Sequence, residues 1–295
     1  MMSQEILENQ RLRVTINNKG AEIQSIFGKE EKREYIWKGD SNYWGRSAPV
    51  LFPVVGNFKN KEYVYEEKTY KMNQHGFARD RQFDIFSKTE TEIWYLLKED
   101  EESLKIYPFR FHLYLGYRLH ENQLEVLWKV ENTNQKELYF SIGGHPAFMC
   151  PLTEGEKQSD YYLQFNGEDD LLYSLIDETG LVAYENNLLP LDEEGSIQIP
   201  AHLFDRDALI IENQQATKVS LLDSKKNPYI TLTFHAPLFG IWSPAKKNAP
   251  FVCIEPWYGR SDSKDFNGTL KERQYGNTLK PKETFEAAYT IMVGQ

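Results

Sequence analysis

The sequence is poor in cysteine, in basic charge and in long apolar segments. Its 295 residues include two cysteines, too few for a disulfide framework and without the CxxC spacing of zinc or redox sites. With 34 basic against 44 acidic side chains, the net charge is −10, which argues against nucleic acid or an anionic membrane as a partner. The longest apolar run, Ala48 to Val55, contains two prolines and is far shorter than the roughly 18 residues of a membrane span.

Several sequence motifs are also missing. The segment from Met1 to Gln10 has no apolar core of the kind found in secretory signals, so we expect a reduced, soluble, cytoplasmic protein. The sequence has no GxxxxGK[ST] or GxGxxG loop, which argues against nucleotide-binding folds. It has no GxSxG nucleophile elbow, and the absence of HxH and HExxH pairs weakens a metal-site interpretation.

What the sequence does contain is a recurring alternation of apolar and polar residues, together with 14% aromatic residues. Alternation with a period of two predicts half-buried strands. No linker rich in proline, glycine or serine divides the chain, so we predict one all-β domain over residues 1–295, a large antiparallel sandwich or barrel. The clearest alternating sets lie in segments 12–16, 111–119, 124–130, 219–221, 230–234 and 285–293.

Two histidine-containing segments differ from ordinary strand sequence. In QHGFARD, His75 and Arg79 are separated by a flexible glycine and two further residues. In SIGGHPAF, two glycines precede His145, which is typical of a distorted strand end that directs an imidazole into a cleft. The alternatives are a tight loop with a surface arginine in the first segment, and a strand bulge with a structural histidine in the second.

Three further segments attract attention. In FVCIEPWYGR, Glu255 interrupts an apolar run, and such a carboxylate must be paired, protonated or functional; the alternative is a structural salt bridge, for example to Arg260. Asp207 stands directly before the apolar run ALII, a position that is most often turn chemistry. APVLFPVVGN indicates an irregular buried segment that ends at the polar Asn57.

Taken in order, the segments LFPVVGN, QHGFARD, GGHPAF, DALII and FVCIEPWYGRSD resemble the aldose 1-epimerase (galactose mutarotase) family, and its LacX-type branch in particular. The resemblance extends from about Leu12 to the C-terminus. It implies a large twisted antiparallel β-sandwich of the galactose mutarotase type with few short helices. It also implies an isomerase that interconverts the α and β anomers of a free hexose without a cofactor or metal.

The resemblance implies that His145 is the general acid and Glu255 the general base. Mutarotation opens a cyclic hemiacetal and recloses it on the other carbonyl face, so one acid and one base suffice. For Glu255 we expect partial burial among aromatic side chains and a raised pKa. Full exposure, or a bidentate pair with Arg260 away from His145, would contradict this assignment.

The resemblance also implies a substrate-binding set. His75 contacts the sugar, and Arg79 binds the substrate or organises the site. Asp207 holds sugar hydroxyls, with Asp205 as a competitor because a two-residue shift in the alignment is possible. The remaining member is Asn57, where many relatives carry an arginine; an amide keeps a polar contact but no charge.

Three functions remain open on the sequence. The first is an aldose 1-epimerase acting on a free sugar, and the second is a hexose-6-phosphate 1-epimerase, which requires a basic cluster that Arg79, Lys59 and Arg260 could supply. The third is a non-catalytic carbohydrate-binding protein on the same fold. Asn57 in place of the arginine favours the third function, whereas the presence of both catalytic residues disfavours it.

Overall fold

The computed structural model describes residues 3–167 and 169–294. These residues form 25 strands and one α-helix, α1 (Glu101–Ile106). The strands are β1 (Gln4–Glu8), β2 (Leu12–Asn17), β3 (Glu22–Gly28), β4 (Arg33–Glu34), β5 (Val50–Leu51), β6 (Glu62–Tyr65), β7 (Lys68–Lys71), β8 (Asp84–Lys88), β9 (Glu92–Lys98), β10 (Phe111–His120), β11 (Gln123–Asn132), β12 (Leu138–Phe140), β13 (Ile142–Gly144), β14 (Ala147–Met149), β15 (Tyr162–Phe165), β16 (Leu171–Ile176), β17 (Val182–Leu189), β18 (Ser196–Gln198), β19 (Leu209–Ile211), β20 (Lys218–Leu222), β21 (Pro228–Phe234), β22 (Leu238–Trp242), β23 (Phe251–Tyr258), β24 (Asn277–Leu279) and β25 (Thr284–Val293).

Two large sheets organise these strands. One has nine strands in the order β18-β15-β20-β21-β25-β11-β10-β9-β8. The other follows the path β17-β16-β19-β22-β23-β13-β5, with β14 paired alongside β23. A four-stranded sheet (β1-β2-β3-β4) and two hairpin-sized sheets (β12-β24 and β6-β7) complete the set. The prediction of an all-β fold is confirmed.

The two large sheets pack face to face through aromatic side chains. The ring of Trp128 on β11 lies 6.2 Å from that of Tyr258 on β23. Phe285 on β25 also contacts Tyr258, at 5.2 Å, and Phe234 on β21 lies 5.2 Å from Phe239 on β22. Because these contacts link strands of opposite sheets, the buried core between them has the arrangement of a β-sandwich.

Strand burial follows the sequence pattern in the nine-stranded sheet, which contains β11, and departs from it in the eight-stranded sheet, which contains β23. Along β11 every second residue is buried, as the alternation predicts for a strand with one covered face. On β23, by contrast, residues 251–257 are all buried. Both faces of β23 are therefore covered, and the side chains on each face lie away from bulk solvent.

Helical structure is short. Helix α1 begins after Asp100, whose side chain accepts a hydrogen bond from the Ser103 backbone amide at 2.6 Å. In return the Ser103 hydroxyl accepts from the Asp100 backbone amide, which completes a capping box. Four 3₁₀ turns lie at Lys59–Lys61, Ala78–Asp80, Gln158–Asp160 and Leu270–Glu272. Among the described residues, none of the helices has the length and apolar character that crossing a membrane requires.

Candidate active site

A cavity of about 390 Å³ lies against the eight-stranded sheet. Strands β16, β19, β22 and β23 supply part of its lining, and loops supply the rest. Five of the residues that the sequence singled out meet in this cavity: His75, Arg79, His145, Asp207 and Glu255. A larger cavity of about 680 Å³, between the β6–β7 hairpin and residues 262–273, contains none of these five.

His145 enters the cavity from the irregular junction between β13 and β14. Its backbone amide donates to the Pro49 carbonyl at 3.1 Å, and its side chain is 8% exposed. Gly143 and Gly144 make this position possible because a Cβ at either would lie within 3 Å of the ring of Trp257 or the hydroxyl of Tyr289. The two glycines therefore let β13 lie close against Trp257 of its own sheet and Tyr289 of the facing sheet, and His145 follows directly at the cavity floor.

Glu255 reaches the same floor from β23. Its side chain is 2% exposed, and its Oε2 atom lies 3.4 Å from Nε2 of His145. Arg260, the alternative partner considered from the sequence, instead donates from Nε to Glu212 at 2.7 Å. The structure thus places Glu255 beside His145 and gives Arg260 a different carboxylate.

Burial and charge favour the neutral forms of both His145 and Glu255. Burial, together with the charges of Arg79 and Arg46, lowers the pKa of His145 to about 3. Burial raises the pKa of Glu255 well above its ordinary value, and the nearby charge of Asp207 raises it further. A carboxyl group in such a site retains a proton that an exposed glutamate would lose.

Aromatic rings surround the imidazole of His145. Trp44 stacks on it with a centroid separation of 4.6 Å, and Trp242 meets it edge-on at 5.3 Å. The ring of His75 lies 5.8 Å away in a perpendicular arrangement. Trp257 completes an indole-rich wall of the cavity. Such faces exclude water from the imidazole and offer apolar surfaces to a ligand.

The loop from Gln74 to Asp80 positions His75 and Arg79. Gly76 has φ of +71°, and a Cβ there would lie 2.2 Å from the Phe52 carbonyl oxygen, so the turn requires glycine. Nδ1 of His75 accepts a hydrogen bond from the Gly56 amide at 3.1 Å. The neutral ring therefore carries its proton on Nε2.

Arg79 and Arg46 bring two guanidinium groups to the cavity. Arg79 donates from Nη2 to the Gln74 carbonyl at 2.8 Å, whereas its buried Nε has no hydrogen-bond partner in the described part of the chain. Burial and the charge of Arg46 lower the pKa of Arg79 to about 10. Arg46 itself donates to Asp80 at 2.9 Å.

The structure distinguishes the two aspartates of the DRDALII segment. Asp207 lines the cavity, and its Oδ1 accepts a hydrogen bond from the Ala208 amide at 2.8 Å. Asp205 instead lies 3.0 Å from Nδ1 of His202 and is not part of the lining. Of the two, Asp207 is therefore the one placed to meet a ligand.

Asn57 does not line the cavity. Its side-chain amide donates to the Gly180 carbonyl at 3.3 Å, and its backbone amide donates to Ser261 Oγ at 2.9 Å. Lys59 points elsewhere, to Asn267 at 3.0 Å, and Arg260 is likewise outside the lining. Asn57 is therefore not among the predicted residues that meet in this cavity.

Sequence reasoning missed Trp44, Arg46 and Trp242. The tripeptide Trp44-Gly45-Arg46 combines an aromatic ring, a flexible residue and a cation outside any strand pattern. That is the same kind of signal that drew attention to the segment with His75, and it could have been read in the same way. Trp242 lies at the end of a buried strand and carries no such local signal.

Comparison with known proteins identifies relatives along the whole chain. The family model for aldose 1-epimerase matches residues 3–289. The chromosomal protein LacX of Lactococcus lactis subsp. lactis is 30% identical over 295 residues, a match that covers 97% of this chain and 98% of that protein.

Solved structures give the same result for the fold. A galactose mutarotase related enzyme from Lactobacillus acidophilus is 36% identical, with a TM-score of 0.93 and coverage of 99% of this chain and 98% of that one. A galactose mutarotase-like protein from Lactobacillus casei is 30% identical, with a TM-score of 0.90 and coverage of 99% and 100%. These likenesses confirm the predicted galactose mutarotase-like fold. The chain belongs to the aldose 1-epimerase family.

Proposed function

We propose that the protein is an aldose 1-epimerase that interconverts the α and β anomers of a free hexose, with His145 and Glu255 as its proton-transfer pair. The observation that carries the proposal is the geometry of this pair. Nε2 of His145 and Oε2 of Glu255 lie 3.4 Å apart, and both side chains are nearly fully buried at the floor of one cavity.

The reaction needs one proton delivered to the ring oxygen and one removed from the anomeric hydroxyl. A pair that holds a single exchangeable proton satisfies this need in either form. With the proton on His145, the imidazolium is the acid and the carboxylate the base, as the family resemblance implies. With the proton on Glu255, as burial favours, the carboxyl group is the acid and the imidazole the base. Each positioned transfer contributes roughly 10²–10⁴-fold to the rate.

The cavity has the size and lining that a monosaccharide requires. Its volume of about 390 Å³ falls within the range of small-ligand sites. The indole faces of Trp44, Trp242 and Trp257 suit the C–H faces of a pyranose. We propose that His75, Arg79 and Asp207 hydrogen-bond the hydroxyls and so fix the ring against the reacting pair.

Arg46 gives specific support to a second candidate, a hexose-6-phosphate 1-epimerase. Two guanidinium groups, those of Arg46 and Arg79, line the same cavity. Guanidinium groups bind phosphate through paired, charge-assisted hydrogen bonds. Lys59 and Arg260, which the sequence offered for this role, are outside the lining, so the basic cluster would consist of Arg46 and Arg79.

Polarimetry or saturation-transfer NMR tests both candidates on freshly dissolved α-D-galactose, α-D-glucose and glucose 6-phosphate. We expect faster anomer exchange that His145→Asn and Glu255→Gln abolish. His120→Asn and Glu90→Gln alter exposed residues of the same two types and serve as matched controls. A preference for glucose 6-phosphate that Arg46→Gln removes would establish the second candidate. Sugar binding without accelerated exchange would establish the non-catalytic alternative.

We also propose a cytoplasmic location, with a small sugar as the partner rather than nucleic acid or a membrane. Cys150 and Cys253 are buried free thiols, which suits a reducing compartment. Cell fractionation with an antibody against the protein tests the location, and recovery in an extracytoplasmic fraction would contradict it.

A further inference from the structure

Beside the reacting pair lies a third side chain with metal-binding chemistry. Cys253 and Glu255 occupy alternate positions of β23 and so point to the same face of the strand. The ligand atoms of Cys253, Glu255 and His145 all lie within 4.8 Å of one another, and all three residues are buried. The cluster therefore combines a sulfur, a nitrogen and a carboxylate oxygen around one point.

One polar atom in this cluster has unmet hydrogen-bonding capacity. Oε2 of Glu255, which faces Nε2 of His145 at 3.4 Å, is buried without a hydrogen-bond partner in the described part of the chain. Buried polar atoms are nearly always paired with protein, water or an ion. This orphaned atom is a second indication, independent of residue type, that the cluster can accept a bound group.

We propose that Zn²⁺ binds to His145, Cys253 and Glu255 and inhibits the enzyme. Thiolate, imidazole and carboxylate are the ligand types that Zn²⁺ takes, and three protein ligands leave a fourth position open toward the cavity. Ligand atoms around tetrahedral zinc lie roughly 3.3–3.8 Å apart, so closing the cluster needs side-chain movements of about 1 Å. Burial raises the pKa of both the Cys253 thiol and the Glu255 carboxyl group. Each therefore transfers a proton to water when Zn²⁺ binds, and no electron transfer is involved.

Inhibition follows from the identity of the ligands. A bound cation occupies the lone pairs that His145 and Glu255 need for proton transfer, and it fills the floor on which the sugar rests. The ion acts here as a reversible inhibitor of the site. This part of the inference rests on the proposed epimerase function, whereas the binding itself does not.

Binding is tested with Co²⁺, which takes the ligands of zinc and reports on them by its spectrum. Metal-free, full-length protein is titrated with Co²⁺ and scanned for a thiolate-to-cobalt charge-transfer band, which Zn²⁺ should then displace. We expect the band in the unaltered protein and in Cys150→Ser, which removes a buried thiol outside the cluster. The band should be lost in Cys253→Ser. Absence of the band in the unaltered protein, or its survival in Cys253→Ser, would overturn the proposed site.

The second measurement concerns affinity and inhibition. We expect the Kd for Zn²⁺, from competition with a fluorescent chelator, to rise at least about 10-fold in Cys253→Ser and in Glu255→Gln. Thermal unfolding shows whether each variant is folded. In anomer exchange, Zn²⁺ should inhibit the unaltered protein and Cys150→Ser alike. If Zn²⁺ binds but the rate of anomer exchange does not change, the inhibitory role is wrong. If the cobalt band appears in a protein that has no exchange activity, the metal site is supported and the epimerase proposal is refuted.

Discussion

Replacement of Arg273 by methionine should destabilise the protein strongly. Nε of Arg273 donates to Asp262 at 2.7 Å, with both side chains about 95% buried. A second guanidinium nitrogen donates to the Arg260 carbonyl at 2.8 Å, and the group lies 4.3 Å from the centre of the Phe58 ring. In Arg273→Met the carboxylate of Asp262 would remain buried with the Lys59 backbone amide as its remaining close donor.

Removal of one partner from a buried ion pair costs about 3–5 kcal/mol, because the other charge stays desolvated without compensation. At roughly 2–4 °C per kcal/mol, the melting temperature should fall by about 10 °C. Circular dichroism during heating and urea unfolding measure the loss. Lys271→Met is the matched control, because Lys271 pairs with Glu137 at the surface with 61% of its side chain exposed, where a pair contributes at most about 1 kcal/mol.

The double variant Asp262→Asn/Arg273→Met separates charge from packing. Because it removes the orphaned carboxylate, it should be more stable than Arg273→Met alone. A loss below about 1 kcal/mol in Arg273→Met, or a double variant less stable than the single one, would refute the assignment of this stability to the buried pair.

Three further predictions concern the proposed proton-transfer pair, His145 and Glu255. Because the pKa of His145 is lowered to about 3, kcat/KM for anomer exchange should not fall as the pH drops through about 6.5, the ordinary pKa of an imidazole. On the alkaline side, kcat/KM should fall as the pH rises through the raised pKa of Glu255. A loss of activity on the acid side of pH 6.5 would contradict this. Asp207→Asn should move that alkaline limb to lower pH and raise KM by about 10-fold, with Asp205→Asn as the unaffected control. Trp44→Leu should admit water to the His145 imidazole and so raise the pKa of His145 in an NMR titration. It should also lower kcat/KM by up to about 10-fold. An unchanged titration of His145 would refute the shielding role of the Trp44 ring.

The strands that the sequence predicted best are those with one covered face. Segments 111–119, 124–130 and 285–293 correspond to β10, β11 and β25, which are neighbours in the nine-stranded sheet. Strand β23 lacks alternation because both of its faces are covered, so periodicity could not identify which of its side chains face a ligand. Helix α1 is too short for a periodic pattern, and its capping box depends on only Asp100 and Ser103.

The candidate site was predictable where glycine, histidine and carboxylate stood out in short segments. The Trp44-Gly45-Arg46 tripeptide carried a comparable signal, but the sequence could not show that these two side chains reach the cavity, because contacts outside the tripeptide position them. The Trp44 carbonyl accepts from the Trp37 indole at 2.9 Å, and Arg46 is held by Asp80 at 2.9 Å. Asn57 is a similar case, because its side chain lies outside the cavity lining and donates to the Gly180 carbonyl, which belongs to a distant loop.

The placement of His145 beside β23 makes the proposed activity depend on complete folding. The imidazole reaches the cavity because β13 pairs with β23, through Gly143 opposite Trp257, and because Gly144 fits against Tyr289 of the facing sheet. Each of these contacts joins segments far apart in the chain, and such contacts form late when folding depends on non-local pairing. During refolding, β-structure should therefore be regained before activity is. A fragment that lacks β25 would keep His145 and Glu255 but lose Tyr289, against which Gly144 fits.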